Sequence, residues 1–278
     1  MTVRIVLVGS GAVRPVPGRE GPAQVVEVEG EALLFDCGHG AATGLRRAGI
    51  PPEGVNRVFL THLHFDHTSD LPYFILVTWV MGRKQPLEVY GPSGTTAFVA
   101  HAVRSSYEED IRSRLARPHR AGGRPRSPFG LDPHVTEITQ PGAFLTTPSY
   151  RVVAFPVEHG GIANLGYRVE TSGRTVVILG DASRGQDIVK LVAGADVLLC
   201  ECSGTEEFLR DPSRPWGAWH MTPEAAATLA REAGVRTLVL KHFVMEDEAA
   251  IARIGEEVRR GFTGEVLVGR DGLELVLD

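Results

Sequence analysis

Three of the chain's ten histidines and one aspartate fall within six consecutive positions, in the stretch Thr61-His62-Leu63-His64-Phe65-Asp66-His67. Imidazole nitrogen and carboxylate oxygen together form a donor set for zinc, manganese or iron(II). His62 and His64 are two apart, and in an extended segment two such rings point to the same side. Asp66 and His67 follow as the chain turns and can face elsewhere. The spacing predicts two metal ions side by side rather than one. A polar loop would seldom concentrate so scarce a residue by chance.

Stepping outward, 58–60 reads as the end of a buried strand, and 71–80 as an apolar helix with Pro72 near its start. The cluster is thus expected at a strand-to-helix corner, where side chains from a sheet rim converge. A first strand over 4–8 ends at Gly9-Ser10-Gly11, but Arg14 stands where a dinucleotide fingerprint needs its third glycine. A hairpin is expected over 24–29 and 32–35, and then Asp36, read either as a turn or capping aspartate or as a group that orients a metal-ligating histidine. Further on, strands stop at a histidine or an acid: His159, Asp181, Glu201 and His242. Thr222-Pro223-Glu224 predicts a capped helix to about 233. Ser93 is read as a helix cap, 185–193 as a helix, 212–219 as a loop, and His39, His101, His119 and His134 as non-ligands.

The 62–67 cluster resembles the His-x-His-x-Asp-His signature of the metallo-β-lactamase superfamily, and the later strand-end residues extend the resemblance over essentially the whole chain. The resemblance implies an α/β four-layer αβ/βα sandwich, with two mixed sheets and helices on the outer faces. It implies that His62, His64 and His159 hold a first metal, that Asp66, His67 and His242 hold a second, and that Asp181 bridges them. Two divalent ions are implied, zinc foremost, with manganese or iron as alternatives; they would activate a water for hydrolysis. True β-lactamases of this fold carry cysteine at the position of Asp181, and flavodiiron-type members an acid at that of His64, so neither activity is expected.

Glu201-Cys202-Ser203 and His220-Met221-Thr222 resemble paired elements of ribonuclease Z and its arylsulfatase-like and phosphodiesterase-like relatives. The match is partial: Cys200 stands for a histidine and Met221 for a serine. The resemblance implies that Asp66, His220 and Glu201 are catalytic, with His220 protonating the leaving oxygen or steadying the oxyanion and Glu201 orienting it. Ribonuclease Z carries a long tRNA-clamping arm between the positions of His159 and Asp181, where this chain has one short hairpin. The leading expectation is therefore a dinuclear hydrolase of a small anionic ester, a phosphodiester or sulfate ester. The alternatives are a ribonuclease Z-like nuclease of tRNA 3′ ends and a non-catalytic metal-binding scaffold.

Length and composition set the frame. The 278 residues, 43% hydrophobic, are read as one domain, 1–278, with an Arg/Gly/Pro-rich insertion at about 112–130 that forms a loop or arm. Its arginines between 112 and 126 could hold an anionic substrate or RNA, although the net charge of −5 is not that of a general nucleic-acid binder. No run of eighteen apolar residues exists, so no membrane span is expected. Three cysteines, too few for a disulfide framework, point to the cytoplasm. A homodimer is an expectation from the resemblance alone.

Overall fold

The computed structural model describes residues 2–117 and 127–278. Among them, the strands form two seven-stranded sheets. The first runs β14 (Leu273–Leu277), β1 (Val3–Gly9), β2 (Ala23–Val28), β3 (Glu31–Phe35), β4 (Arg57–Phe59), β5 (Glu88–Gly91), β6 (His134–Glu137). The second runs β13 (Glu265–Val268), β12 (Thr237–Lys241), β11 (Val197–Glu201), β10 (Thr175–Ile178), β9 (Leu165–Glu170), β8 (Arg151–Pro156), β7 (Gly142–Thr146). Each is antiparallel over four strands and parallel over the other three, so each is mixed in the same way.

Alternation along the strands builds three apolar layers. Ile5, Leu7, Leu33, Phe35 and Phe59 meet Val152, Tyr167, Ile178, Leu199 and Val239 between the sheets. The intervening residues Val6, Val8, Leu34 and Val58 face the helices Ala41–Arg47 and Leu71–Val80. Leu198, Cys200, Leu238 and Leu240 face Pro223–Glu232 and Glu248–Gly261. This is the expected four-layer sandwich. Helix Leu71–Val80 has the predicted bounds, and Thr222 caps Pro223–Glu232 by accepting from the Ala225 N–H.

Four local expectations fail. Ser93 is not a cap: Gly94, at a φ of 98°, holds that position, and the Thr95 hydroxyl donates to the Pro92 carbonyl. The expected 185–193 helix is one turn, Val189–Val192, because Gly185 takes a left-handed φ of 82° and Gln186 is tied to the Ser183 and Glu158 carbonyls. Part of the expected 212–219 loop is a 3₁₀ turn, Pro215–Trp219. The loop expected from 112 is helical to 116: Glu108–Ala116 carries Glu108, Glu109 and Asp110 in its first turn, which favours a helix N-terminus, and Arg114 pairs with Asp110 one turn back. Arg120, Arg124, Arg126 and His119 lie outside the described residues.

Candidate metal centre

The histidine-bearing segment is fixed from both sheets. Beyond β4, the Leu60 carbonyl accepts from the Tyr167 hydroxyl at 2.7 Å and the Thr61 carbonyl from the Leu165 N–H at 2.9 Å. Gly180, just before Asp181, lets the two strand ends meet; a Cβ there would fall 2.5 Å from the Thr61 hydroxyl. His64 ends the extended stretch at the start of the short helix Phe65–Thr68, whose turn brings the His67 ring back to 4.1 Å from that of His62, closer than the 4.6 Å between His62 and His64. His242 follows β12 in a left-handed conformation, φ 66°, with its N–H and that of Phe243 both donating to the Ser10 carbonyl.

All seven expected ligands gather. One group of donor atoms comprises His62, His64, His159 and Asp181, another Asp66, His67 and His242, each within 4.8 Å. His67 Nε2 lies 3.2 Å from His242 Nε2, and His242 Nε2 lies 3.3 Å from Asp66 Oδ2. Asp181 turns its Oδ1 to His67 and His242, at 3.3 and 3.2 Å, and its Oδ2 to His159, at 3.6 Å. It therefore stands between the groups, one oxygen toward each. A zinc ion with ligands at about 2.0–2.1 Å in a tetrahedron separates neighbouring donors by roughly 3.3–3.5 Å, and the donors around His67 and His242 lie 3.2–3.8 Å apart.

In four of the five histidines, His62, His67, His159 and His242, the outer ring nitrogen is engaged, which turns the inner one to the common point. Asp36, at φ 58°, sets one carboxylate oxygen 2.9 Å from His67 Nδ1 and accepts from the Thr61 N–H at 2.8 Å. Asp36 thus both holds the neighbouring 61 segment and sets the His67 ring, and Gly40, not Asp36, caps the following helix. His62 Nδ1 meets the Thr61 hydroxyl at 3.0 Å, His159 Nδ1 the Trp219 carbonyl at 2.9 Å and His242 Nδ1 the Ser203 hydroxyl at 3.1 Å. Burial, then the nearby His67, drives His62 well below the usual histidine range, leaving it a neutral donor. Burial opposes charge on His67, but Asp36 and Asp181 prevail and raise it to about 10. Asp66 is lowered to about 2: burial works the other way, and the His242 bond and His67 charge outweigh it.

Beside this cluster, His220 Nδ1 lies 3.2 Å from Glu201 Oε1, which also accepts from the Met221 N–H at 2.8 Å. Glu201 is fully buried, and its other oxygen accepts from the Ser203 hydroxyl at 2.9 Å. Burial disfavours the charged His220, but Glu201 and then Asp181 prevail and raise it to about 9. His220 lines a cleft of about 420 Å³ with His64, Asp66, His159, Asp181 and His242. Three expected non-ligands stand apart or exposed: His39 pairs with Glu20, and His101 and His134 lie on the surface. The remaining cleft wall was not anticipated. It includes Phe65, Trp216 and Trp219; only their closeness to His64 and His220 in the chain could have suggested them.

The comparisons with known proteins agree with this geometry. A family model described as a beta-lactamase superfamily domain matches residues 31–243. Ribonuclease Z of Mycobacterium bovis is 31% identical over 281 residues, spanning 97% of this chain and 96% of that one; that of Mycolicibacterium paratuberculosis is 32% identical with the same coverage. The crystal structure of human tRNase Z, short form, superposes with a TM-score of 0.74 at 27% identity over 98% of both chains. A diphosphatase of the PhnP family, at 17% identity and a TM-score of 0.70, shares the fold. The buried histidine–aspartate cluster and these relatives together make the protein a metal-dependent, ester-cleaving hydrolase, and the chain belongs to the beta-lactamase superfamily, among its ribonuclease Z relatives.

Proposed function

We propose that the protein is a dinuclear metal-dependent phosphodiesterase. His62, His64 and His159 would hold one cation and Asp66, His67 and His242 the other, with Asp181 placed to serve either. The donors fit: His62 Nε2 is buried without a hydrogen-bond partner, as an atom reserved for a cation would be. The mixed nitrogen and oxygen set favours zinc, with manganese or iron(II) as alternatives. Two bound cations would supply a nucleophile from water near neutral pH and offset charge on the phosphoryl oxygens. Asp66 stays ionised beside the cleft and can take a proton from the attacking water. His220 protonates the leaving oxygen, and Glu201 keeps its Nδ1 occupied and the ring charged.

The observation that carries this reading is the His220–Glu201 pair, a raised imidazole on a buried carboxylate at the lip of a cation cluster. Ligands come from the rims of both sheets, so residues 1–278 act as one hydrolase unit. The three cysteines are free and buried, which suits a cytoplasmic location. Purified protein loaded with zinc or manganese should turn over bis(p-nitrophenyl) phosphate in preference to an aryl sulfate. Turnover of neither, or a rate indifferent to Asp66→Ala and His220→Ala, would end the proposal.

A second reading, cleavage of precursor tRNA at its 3′ side, has its own support. The chain spans 96% of the Mycobacterium bovis ribonuclease Z from which 31% identity is drawn. The short link between His159 and Asp181 therefore does not set it apart from proteins of that name. Cleavage of a precursor tRNA transcript, falling steeply with salt, would establish this substrate; its absence alongside diester turnover would leave the small-ester reading.

A further inference from the structure

Among the described residues, three of the ten exposed large apolar side chains stand on one cleft. Phe65 is 67% exposed, Trp219 48% and Val13 47%, and all line the cavity over the histidine–aspartate cluster. Scattered single exposures need no explanation, but a convergent group beside a reactive centre does. Phe65 sits between His64 and Asp66, in the first turn of a helix whose buried positions are Asp66, His67 and Thr68. The fold gains nothing from a benzyl group there. Trp219 is pre-positioned: its indole rests on Gly160, where a Cβ would lie 3.3 Å from the ring, and its carbonyl fixes His159. Trp216 lies edge-on to His220, ring centroids 5.7 Å apart.

We propose that Phe65 and Trp219 form a subsite for one flat aromatic group of the ester, an aryl ring or a nucleobase, held beside the phosphoryl group as it enters the centre. This rests on the phosphodiesterase reading and adds to it which esters are preferred. The chemistry is that of a stacking platform. Every base or aryl ring presents a π-face, so such a wall selects flat groups without reading a sequence. Rigid side chains lose little freedom on binding, and Trp219 has already lost it to Gly160. His220 lies next to Trp219 in the chain, so a ring stacked there also sets how the leaving oxygen meets the imidazole.

The test is binding of matched pairs to the zinc-loaded protein, followed by calorimetry: phenylphosphonate against methylphosphonate, and uridine 5′-phosphate against ribose 5-phosphate. The aromatic member of a pair should bind roughly tenfold more tightly. Phe65→Ala and Trp219→Ala should each cut that ratio to about threefold or less, while Trp219→Phe should keep most of it and so exclude simple unfolding as the cause. A preference in the first pair alone assigns the subsite to aryl esters, and in both pairs to nucleotides as well. Equal affinities within each pair, or ratios indifferent to both alanine variants while bis(p-nitrophenyl) phosphate is still hydrolysed, would overturn the subsite and leave the phosphodiesterase reading intact. Intact ratios with no diester turned over would do the reverse.

Discussion

The two ligand groups are built differently. His62 and His159 are braced by neutral partners, a threonine hydroxyl and a backbone carbonyl. The group of Asp66, His67 and His242 contains its own carboxylate, has buried Asp36 behind His67, and has Ser203 behind His242, itself bonded to Glu201. Strain is unequal too. His64 is extended, whereas His242 and Asp36 adopt φ values of 66° and 58°. A left-handed conformation costs on the order of 1–2 kcal/mol for a residue with a Cβ and persists only where the surroundings impose it. Here the Ser10 carbonyl holds the His242 and Phe243 N–H groups, and the Phe59 carbonyl that of Asp36. The second group is therefore the more charged and touches Asp36 directly, whereas the first reaches the same carboxylate one step removed, through the Thr61 hydroxyl.

The most damaging change should be at the residue common to both groups. Asp181→Ala should lower diester hydrolysis at least about a thousandfold, and metal analysis should find both cations weakened. Loss of only one would break the bridging role. Next, His220→Ala should cost about a hundred- to ten-thousandfold in kcat while metal content stays the same, which separates acid chemistry from ligation. Glu201→Gln should move the alkaline limb of the pH–rate profile to lower pH. The sign follows from the roles: a general acid works while protonated, activity falls as pH rises through its pKa, and Glu201 is the group holding His220 up at about 9. An unmoved limb would remove Glu201 from that role.

Smaller effects probe the bracing. Asp36→Asn should weaken the second cation about 10–100-fold, measured by competition with a chelator. Thr61→Val, which removes a hydroxyl rather than a charge from behind His62, should weaken the first by a few-fold at most. Equal effects would erase the asymmetry.

Much of the centre was legible from residue type and spacing. His62 and His64 share a side because an extended segment imposes it, whereas His67 returns beside His62 through the helix turn that starts at Phe65. His159, Asp181 and His242 were legible because each closes an apolar strand. What escaped depended on contacts remote in sequence. The role of Asp36 is set by His67, and the aromatic wall is made of surface residues without periodicity. Ser93 and the 185–193 stretch misled because Gly94 and Gly185 take conformations that polar-residue rules do not anticipate. The 112–116 arginines misled because a helix stabilised by charge pairs shows almost no apolar stripe; Ile111 is its one buried residue.

Every role proposed for the site requires a pair of cations held by the two groups. Anomalous diffraction from zinc-loaded crystals would locate them. Two peaks about 3.5–4 Å apart are predicted, one among His62, His64 and His159, the other among Asp66, His67 and His242, with Asp181 between them. A single peak, or peaks away from these side chains, would contradict it.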